Sequence, residues 1–133
     1  MEQWKKDAFK HAFDCKPNEC CGLLYTDKKE IKYGPCKNLA YEEPETSFVI
    51  DPLDWVKYED IADENEGEII GIIHSHPDGN LEFSETDIAS CNFLEVDFYL
   101  VDPSTESIIS IKPKKWKKLN FTESSEKWLD RVF

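Results

Sequence analysis

A strand that ends in two closely spaced histidines constrains the fold more than any other part of this 133-residue chain. The apolar run Glu68–Ile73 is rich in β-branched residues and is long enough for a buried strand. Because side chains alternate along a strand, His74 and His76 are expected on one face of the sheet, at the end of that strand. Beyond a turn, Ser84 predicts a helix N-cap and Asp87 falls three residues later, as in a capping box.

These side chains suggest a metal site, because two imidazoles and one carboxylate can converge on a single point. His74, His76 and Asp87 would form a two-nitrogen, one-oxygen ligand set for Zn²⁺ with a fourth position open. A single histidine on a strand is more often a hydrogen-bonded core residue than a metal ligand. The chain has only three histidines, however, and two of them are clustered here. Burying both without a metal would leave ring nitrogens unpaired, at about 1–3 kcal/mol each.

The bulk composition predicts one globular domain over residues 1–133, with a core large enough to need no disulfide or structural metal. A net charge of −12 argues against binding to nucleic acid or to an anionic membrane surface. No apolar run approaches the roughly 20 residues of a membrane span, and the N-terminus lacks a signal-peptide core, so we expect a cytoplasmic protein. Five cysteines without a CxxC pair fit reduced thiols.

Periodicity predicts an alternation of short strands and helices. Apolar residues at helical spacing predict an amphipathic first helix within residues 1–14, with His11 off the apolar stripe and solvated. Asp51 before Pro52 predicts the N-cap of a second helix that ends by residues 66–67. We predict strands over residues 20–25, 30–33, 46–50, 68–73, 96–101 and 107–111, a short one within 36–40, and a third helix from Ser84 towards Leu94.

A basic cluster lies near the end of the sequence, between Lys112 and Lys118. Exposed lysines commonly protect sheet edges, so a solvated edge segment is the simpler interpretation. The alternative is a docking patch for an acidic partner. We assign residues 112–133 as a basic segment and a candidate linker to a second domain.

Hydrolysis at the zinc site would need a general base. Zinc lowers the pKa of a water in its open position to about 7, and a base must then take a proton and return it to the leaving amine. Glu82 and Glu85 are near in sequence, while Glu19 lies where the chain enters the first strand. A glutamate at such a position is usually exposed, and periodicity does not choose among the three.

A family resemblance does choose. Glu19, His74-Ser75-His76-Pro77 and Ser84-x-x-Asp87 resemble the JAMM motif of zinc metallopeptidases. The resemblance implies that the two histidines and Asp87 bind zinc, that Glu19 is the general acid and base, and that Ser84 helps to stabilise the oxyanion. Every motif position is filled, which disfavours the metal-free members. The implied fold is α+β, a mixed β-sheet flanked by helices of the JAMM and cytidine-deaminase-like type.

A closer resemblance covers most of residues 15–91. The chain is similar to the N-terminal peptidase domain of the phage tail-tip assembly protein K family, in many of which an NlpC-like cysteine peptidase domain follows. It departs from that family after Cys91, where Asn92–Asp97 replaces a Gly-Leu-Pro-Trp-like stretch. The motifs that carry the resemblance are Cys36-x-Asn38-x-Ala40, Phe48-x-Ile50-x-Pro52-x-Asp54-Trp55, Gly67-Glu68-Ile69 and His74-Ser75-His76-Pro77-Asp78.

The leading hypothesis is a zinc-dependent peptidase or isopeptidase that hydrolyses an amide bond in phage tail assembly, with a protein or peptide substrate and tail proteins as partners. One alternative is a JAMM hydrolase of a ubiquitin-like or sulfur-carrier protein tail. Another is a non-catalytic assembly module that zinc only braces. A third alternative is redox chemistry or metal storage by the cysteines. The simpler interpretation is that they are small buried thiols that pack in the core. These residues are Cys15, Cys20, Cys21, Cys36 and Cys91.

Overall fold

A computed structural model describes residues 1–114, which form a mixed five-stranded sheet with three helices. The α+β class predicted from the sequence is therefore confirmed. The helices are α1 (Gln3–Asp14), α2 (Pro52–Glu64) and α3 (Glu85–Leu94). The strands are β1 (Cys21–Asp27), β2 (Glu30–Cys36), β3 (Ile69–Ser75), β4 (Asp97–Asp102) and β5 (Ser107–Ile111).

The strand order β2-β1-β3-β4-β5 places β3 at the centre of the sheet. Strand β1 runs antiparallel to β3 and pairs Cys21 with His74. The residues that precede β1 therefore lie beside the residues that end β3, which brings Glu19 next to His76. Strand β4 runs parallel to β3, and α3 forms the connection between them.

The two faces of the sheet bury separate apolar clusters. On one face, α1 packs its buried residues Trp4, Ala8, Phe9 and Ala12 against Leu24, Ile73 and Val101. On the other face, α2 and α3 cover Leu23, Ile72 and Phe98, with Tyr58, Ala62 and Cys91 from the helices. Because β3 alternates, His74 lies on the same face as Ile72, beneath α2 and α3.

Both predicted N-caps are confirmed. The Asp51 side chain accepts a hydrogen bond from the backbone N–H of Leu53, and Pro52 occupies the first helical position of α2. Ser84 and Asp87 form a capping box at the start of α3. These caps satisfy N–H groups that a helix cannot pair internally, so they fix where each helix begins.

The segment between β2 and α2 differs from its prediction. Residues 46–50 do not form a strand, and an isolated bridge between Asn38 and Ile50 replaces the expected pairing. Cys36 ends β2 rather than starting another strand. The Asn38 side chain accepts a hydrogen bond from the N–H of Val49 and donates one to the carbonyl of Ser47. These backbone groups would otherwise pair with a neighbouring strand.

Two predictions concern more peripheral residues. His11 was expected to be solvated, but it is half-buried and its Nδ1 is hydrogen-bonded to the Tyr33 hydroxyl, because β2 packs under α1. Lys112 and Lys114 are exposed directly after β5, while the rest of the basic cluster and the linker expected within 112–133 fall on residues 115–133, outside the described part. Within residues 1–114, the helices are too short or too polar to cross a membrane.

Candidate metal centre

Four side chains from separate parts of the chain converge where β3 ends. Glu19, His74 and His76 each offer a ligand atom, and these atoms lie within 4.8 Å of one another. Asp87 Oδ2 lies 3.2 Å from His74 Nε2 and 3.6 Å from His76 Nε2. The structure therefore brings together the three predicted zinc ligands and the predicted base.

The orientation of His76 is set by a backbone carbonyl. Its Nδ1 lies 3.0 Å from the carbonyl oxygen of Asn80, so this nitrogen carries a proton and donates. In the neutral ring, Nε2 then has a free lone pair that faces Asp87 and the site. Such a carbonyl partner is the usual way to hold a metal-binding imidazole in place.

His74 is held by aromatic packing instead. The ring is fully buried, stacks on Phe48 with centroids 4.7 Å apart, and meets Phe98 edge-on at 6.2 Å. Its Nε2 points at Asp87, whereas its buried Nδ1 has no hydrogen-bond partner within the described part of the chain. Aromatic packing and the hydrogen bond to Asp87 therefore fix the direction of Nε2 together.

Asp87 serves both the helix and the site. Its Oδ2 accepts the backbone N–H of Ser84 at 3.0 Å, and its own N–H donates to Ser84 Oγ at 3.0 Å. Burial alone would raise the pKa of Asp87, but the hydrogen bond from His74 and the interaction with His76 in its protonated form outweigh it and hold the pKa well below its usual range. The carboxylate is thus ionised at neutral pH and is available as a ligand.

Glu19 is buried, with 5% of its surface exposed. Burial raises the pKa of its carboxyl to about 7, which the charge of His76 opposes and those of Asp87 and Asp78 reinforce. A carboxyl with a pKa near neutrality can both accept and return a proton at physiological pH.

Two residues that sequence reasoning did not assign hold Glu19 in position. Ser75, on the opposite face of β3, accepts the backbone N–H of Cys20 at 2.9 Å through its Oγ. Asn38 Nδ2 donates to the Glu19 carbonyl at 3.3 Å. Asn38 lies within a motif of the family resemblance, but its role depends on contacts between distant residues that periodicity does not reveal.

The donor set fits a divalent metal of the zinc type, because zinc favours imidazole nitrogen and carboxylate oxygen in three-ligand sites with an open position. Geometry alone leaves the third ligand open, since the Glu19 carboxylate is as near to the histidines as a ligand would be. Ser84 is exposed at the rim, and because its Oγ already accepts the Asp87 N–H, its hydroxyl proton is free to be donated.

A mixed sheet with helices on both faces, and a histidine and carboxylate cluster at the end of its central strand, defines a JAB/MPN-type domain with a candidate metal centre. The chain belongs to the family described as prokaryotic homologs of the JAB domain, whose model matches residues 1–116. The resemblance to the JAMM family is therefore confirmed.

The chain is also similar to a named phage protein. It is 33% identical over 104 residues to the tail tip assembly protein K of Escherichia phage N15. The match covers 78% of this chain but only 40% of that protein, so the chain spans well under half of its relative.

Two solved structures share the fold. The solution structure of a protein from Desulfitobacterium hafniense has a TM-score of 0.65 at 20% identity, over 83% of this chain and 78% of that one. The crystal structure of a JAB1/MPN domain protein from Archaeoglobus fulgidus has a TM-score of 0.51 at 19% identity, over 83% of this chain and 82% of that one.

Proposed function

We propose that this domain is a zinc-dependent peptidase or isopeptidase that hydrolyses an amide bond in a protein substrate. The observation that carries the proposal is the placement of the buried Glu19 carboxyl, with a pKa of about 7, beside two histidines and an ionised aspartate. If zinc only braced the fold and His74, His76 and Asp87 held it, burying a further carboxyl at Glu19 would cost free energy without a return.

His74, His76 and Asp87 would hold the metal, which when bound supplies a Lewis acid and an activated water. Glu19 would accept the proton of the attacking water and return it to the leaving amine nitrogen. The Ser84 hydroxyl would donate a hydrogen bond to the oxygen on which negative charge develops. The carbonyl of Asn80 keeps His76 in the tautomer whose Nε2 can bind the metal.

The biological setting that we propose is phage tail assembly, with a tail protein as substrate or partner. This proposal is supported by the similarity to the tail tip assembly protein K of phage N15. A JAMM hydrolase that acts on a ubiquitin-like or sulfur-carrier protein tail would use the same four residues. The two hypotheses differ only in which substrate segment would bind across the site.

Metal analysis and cleavage assays on purified variants test the proposal. We expect His76→Ala and Asp87→Ala to lose stoichiometric zinc. We expect Glu19→Gln to keep its fold and to cleave tail proteins encoded nearby at a rate about 10²–10⁴-fold lower, because it lacks the base. The zinc content of Glu19→Gln also shows whether Glu19 is a ligand.

The matched control is Glu82→Gln, which makes the same change on an exposed glutamate in the loop before α3, outside both cavities at the site. It should retain zinc and cleave at a rate close to that of the wild type. The proposal fails if Glu19→Gln cleaves as fast as Glu82→Gln, or if the His76 and Asp87 variants both keep full zinc occupancy.

A further inference from the structure

A cavity of about 680 Å³, lined by both apolar and polar side chains, opens directly onto the candidate metal centre. Glu19, His76, Ser84 and Asp87 form part of its wall, so its contents would lie next to the reacting atoms. Its volume is within the range of about 300–1,000 Å³ that is typical of ligand sites. We call it the apolar arm, and the side chains that make it apolar are Phe48, Ile50, Trp55, Ile72, Leu94 and Phe98.

A second cavity, of about 470 Å³, also opens onto the site. It shares Glu19, Thr46 and His76 with the apolar arm, so the two cavities meet at the metal centre. Glu45 and Asp78 line it, and among the described residues around it there is no lysine or arginine. We call this cavity the acidic arm.

Glu19 connects the two arms. Only 5% of the residue is exposed, it lines both cavities, and no side-chain hydrogen bond holds its carboxyl among residues 1–114. Val49 and Leu94 line the apolar arm and are 53% and 43% exposed, so apolar surface remains there for a bound segment to cover.

We propose that the two arms form one groove, which selects an extended segment with a large apolar side chain on one side of the scissile bond and a lysine or arginine on the other. The proposal rests on the proposed function and names its substrate class. Burial against the aromatic walls favours the apolar side chain, and charge complementarity with Glu45 and Asp78 favours the basic one. A diglycine tail would leave the apolar arm empty.

Binding can be tested separately from cleavage. The probes are fluorescein-labelled octapeptides of alanine in which Phe and Lys are separated by one residue. One set has Phe before Lys and the other has Lys before Phe. Each peptide is added to the zinc-loaded Glu19→Gln protein, which should bind without cleaving. Fluorescence anisotropy should show that replacing Phe by Gly, or Lys by Glu, weakens binding about 10-fold or more. Equal affinity for all the peptides would overturn the proposal.

Variants assign each preference to its arm. Ser90→Phe, which narrows the apolar arm, should abolish the preference for Phe over Gly. Glu45→Lys should reverse the preference for Lys over Glu. The matched control Glu64→Lys makes the same charge change at the far end of α2 and should leave both preferences unchanged. The groove is refuted if adding Ser90→Phe or Glu45→Lys to the Glu19→Gln protein leaves its relative affinities for the peptides unchanged.

The same peptides, given to the wild-type protein with zinc, separate the two proposals. Selective binding without cleavage would contradict the proposed function and support the groove. Cleavage without selectivity would support the function and contradict the groove.

Discussion

Replacing Asn38 by alanine should destabilise the protein more than its half-exposed position suggests. The Asn38 amide makes four hydrogen bonds to the backbone. Its Nδ2 donates to the carbonyls of Glu19 at 3.3 Å and Ser47 at 2.9 Å. Its Oδ1 accepts the N–H groups of Ala40 at 2.9 Å and Val49 at 3.0 Å. One side chain thus ties the start of β1 to the segment that covers the apolar arm.

The size of the effect follows from these contacts. Each hydrogen bond contributes about 0.5–1.5 kcal/mol, and the backbone groups nearest solvent will bond to water after the substitution. We therefore expect Asn38→Ala to lose about 2–4 kcal/mol of unfolding free energy. Because Glu19 and Phe48 would lose their support, the cleavage activity that we propose should also fall.

Urea denaturation at equilibrium, followed by circular dichroism, measures the loss. The control is Asn65→Ala, which removes a single hydrogen bond to the Ile61 carbonyl at the end of α2 and should lose about 0.5–1.5 kcal/mol. If Asn38→Ala loses no more than Asn65→Ala, the reasoning that the Asn38 amide holds this segment is wrong.

Two further predictions concern the elements around the site. Asp51→Ala removes the N-cap of α2 and should cost about 1 kcal/mol in urea denaturation with zinc content unchanged, and a loss of zinc would contradict it. Burial lowers the pKa of His11. Below about pH 6.5 the unfolded chain therefore binds a proton more readily than the folded chain, and the free energy of unfolding decreases as the pH is lowered. The loss of stability between about pH 7.5 and 5.5 should be smaller in His11→Gln, and an equal loss in both proteins would refute it.

Local patterns predicted the elements better than the contacts between them. The capping box at Ser84 and Asp87 could be predicted because its donors and acceptors lie within three residues of each other. The alternation in residues 46–50 predicts a strand, but the pairing is limited to an isolated bridge between Ile50 and Asn38, and the side chains of Phe48 and Ile50 line a cavity.

The site was predicted unevenly for the same reason. His74 and His76 follow from strand alternation, whereas the approach of Glu19 depends on β1 pairing with β3, between residues 55 apart in sequence. Only the family resemblance selected Glu19 over Glu82 and Glu85. The half-burial of His11 depends in the same way on β2, a strand that periodicity cannot place under α1.

The Asp87 carboxylate both caps the start of α3 and faces the histidines, so two separate requirements act on this residue. Under the proposed function, loss of hydrolysis would leave Asp87 with its role at the start of α3, whereas the Glu19 carboxyl has no side-chain hydrogen bond within residues 1–114 to keep it. When domains of this kind are sorted into active enzymes and inert scaffolds, the glutamate is therefore the more discriminating marker.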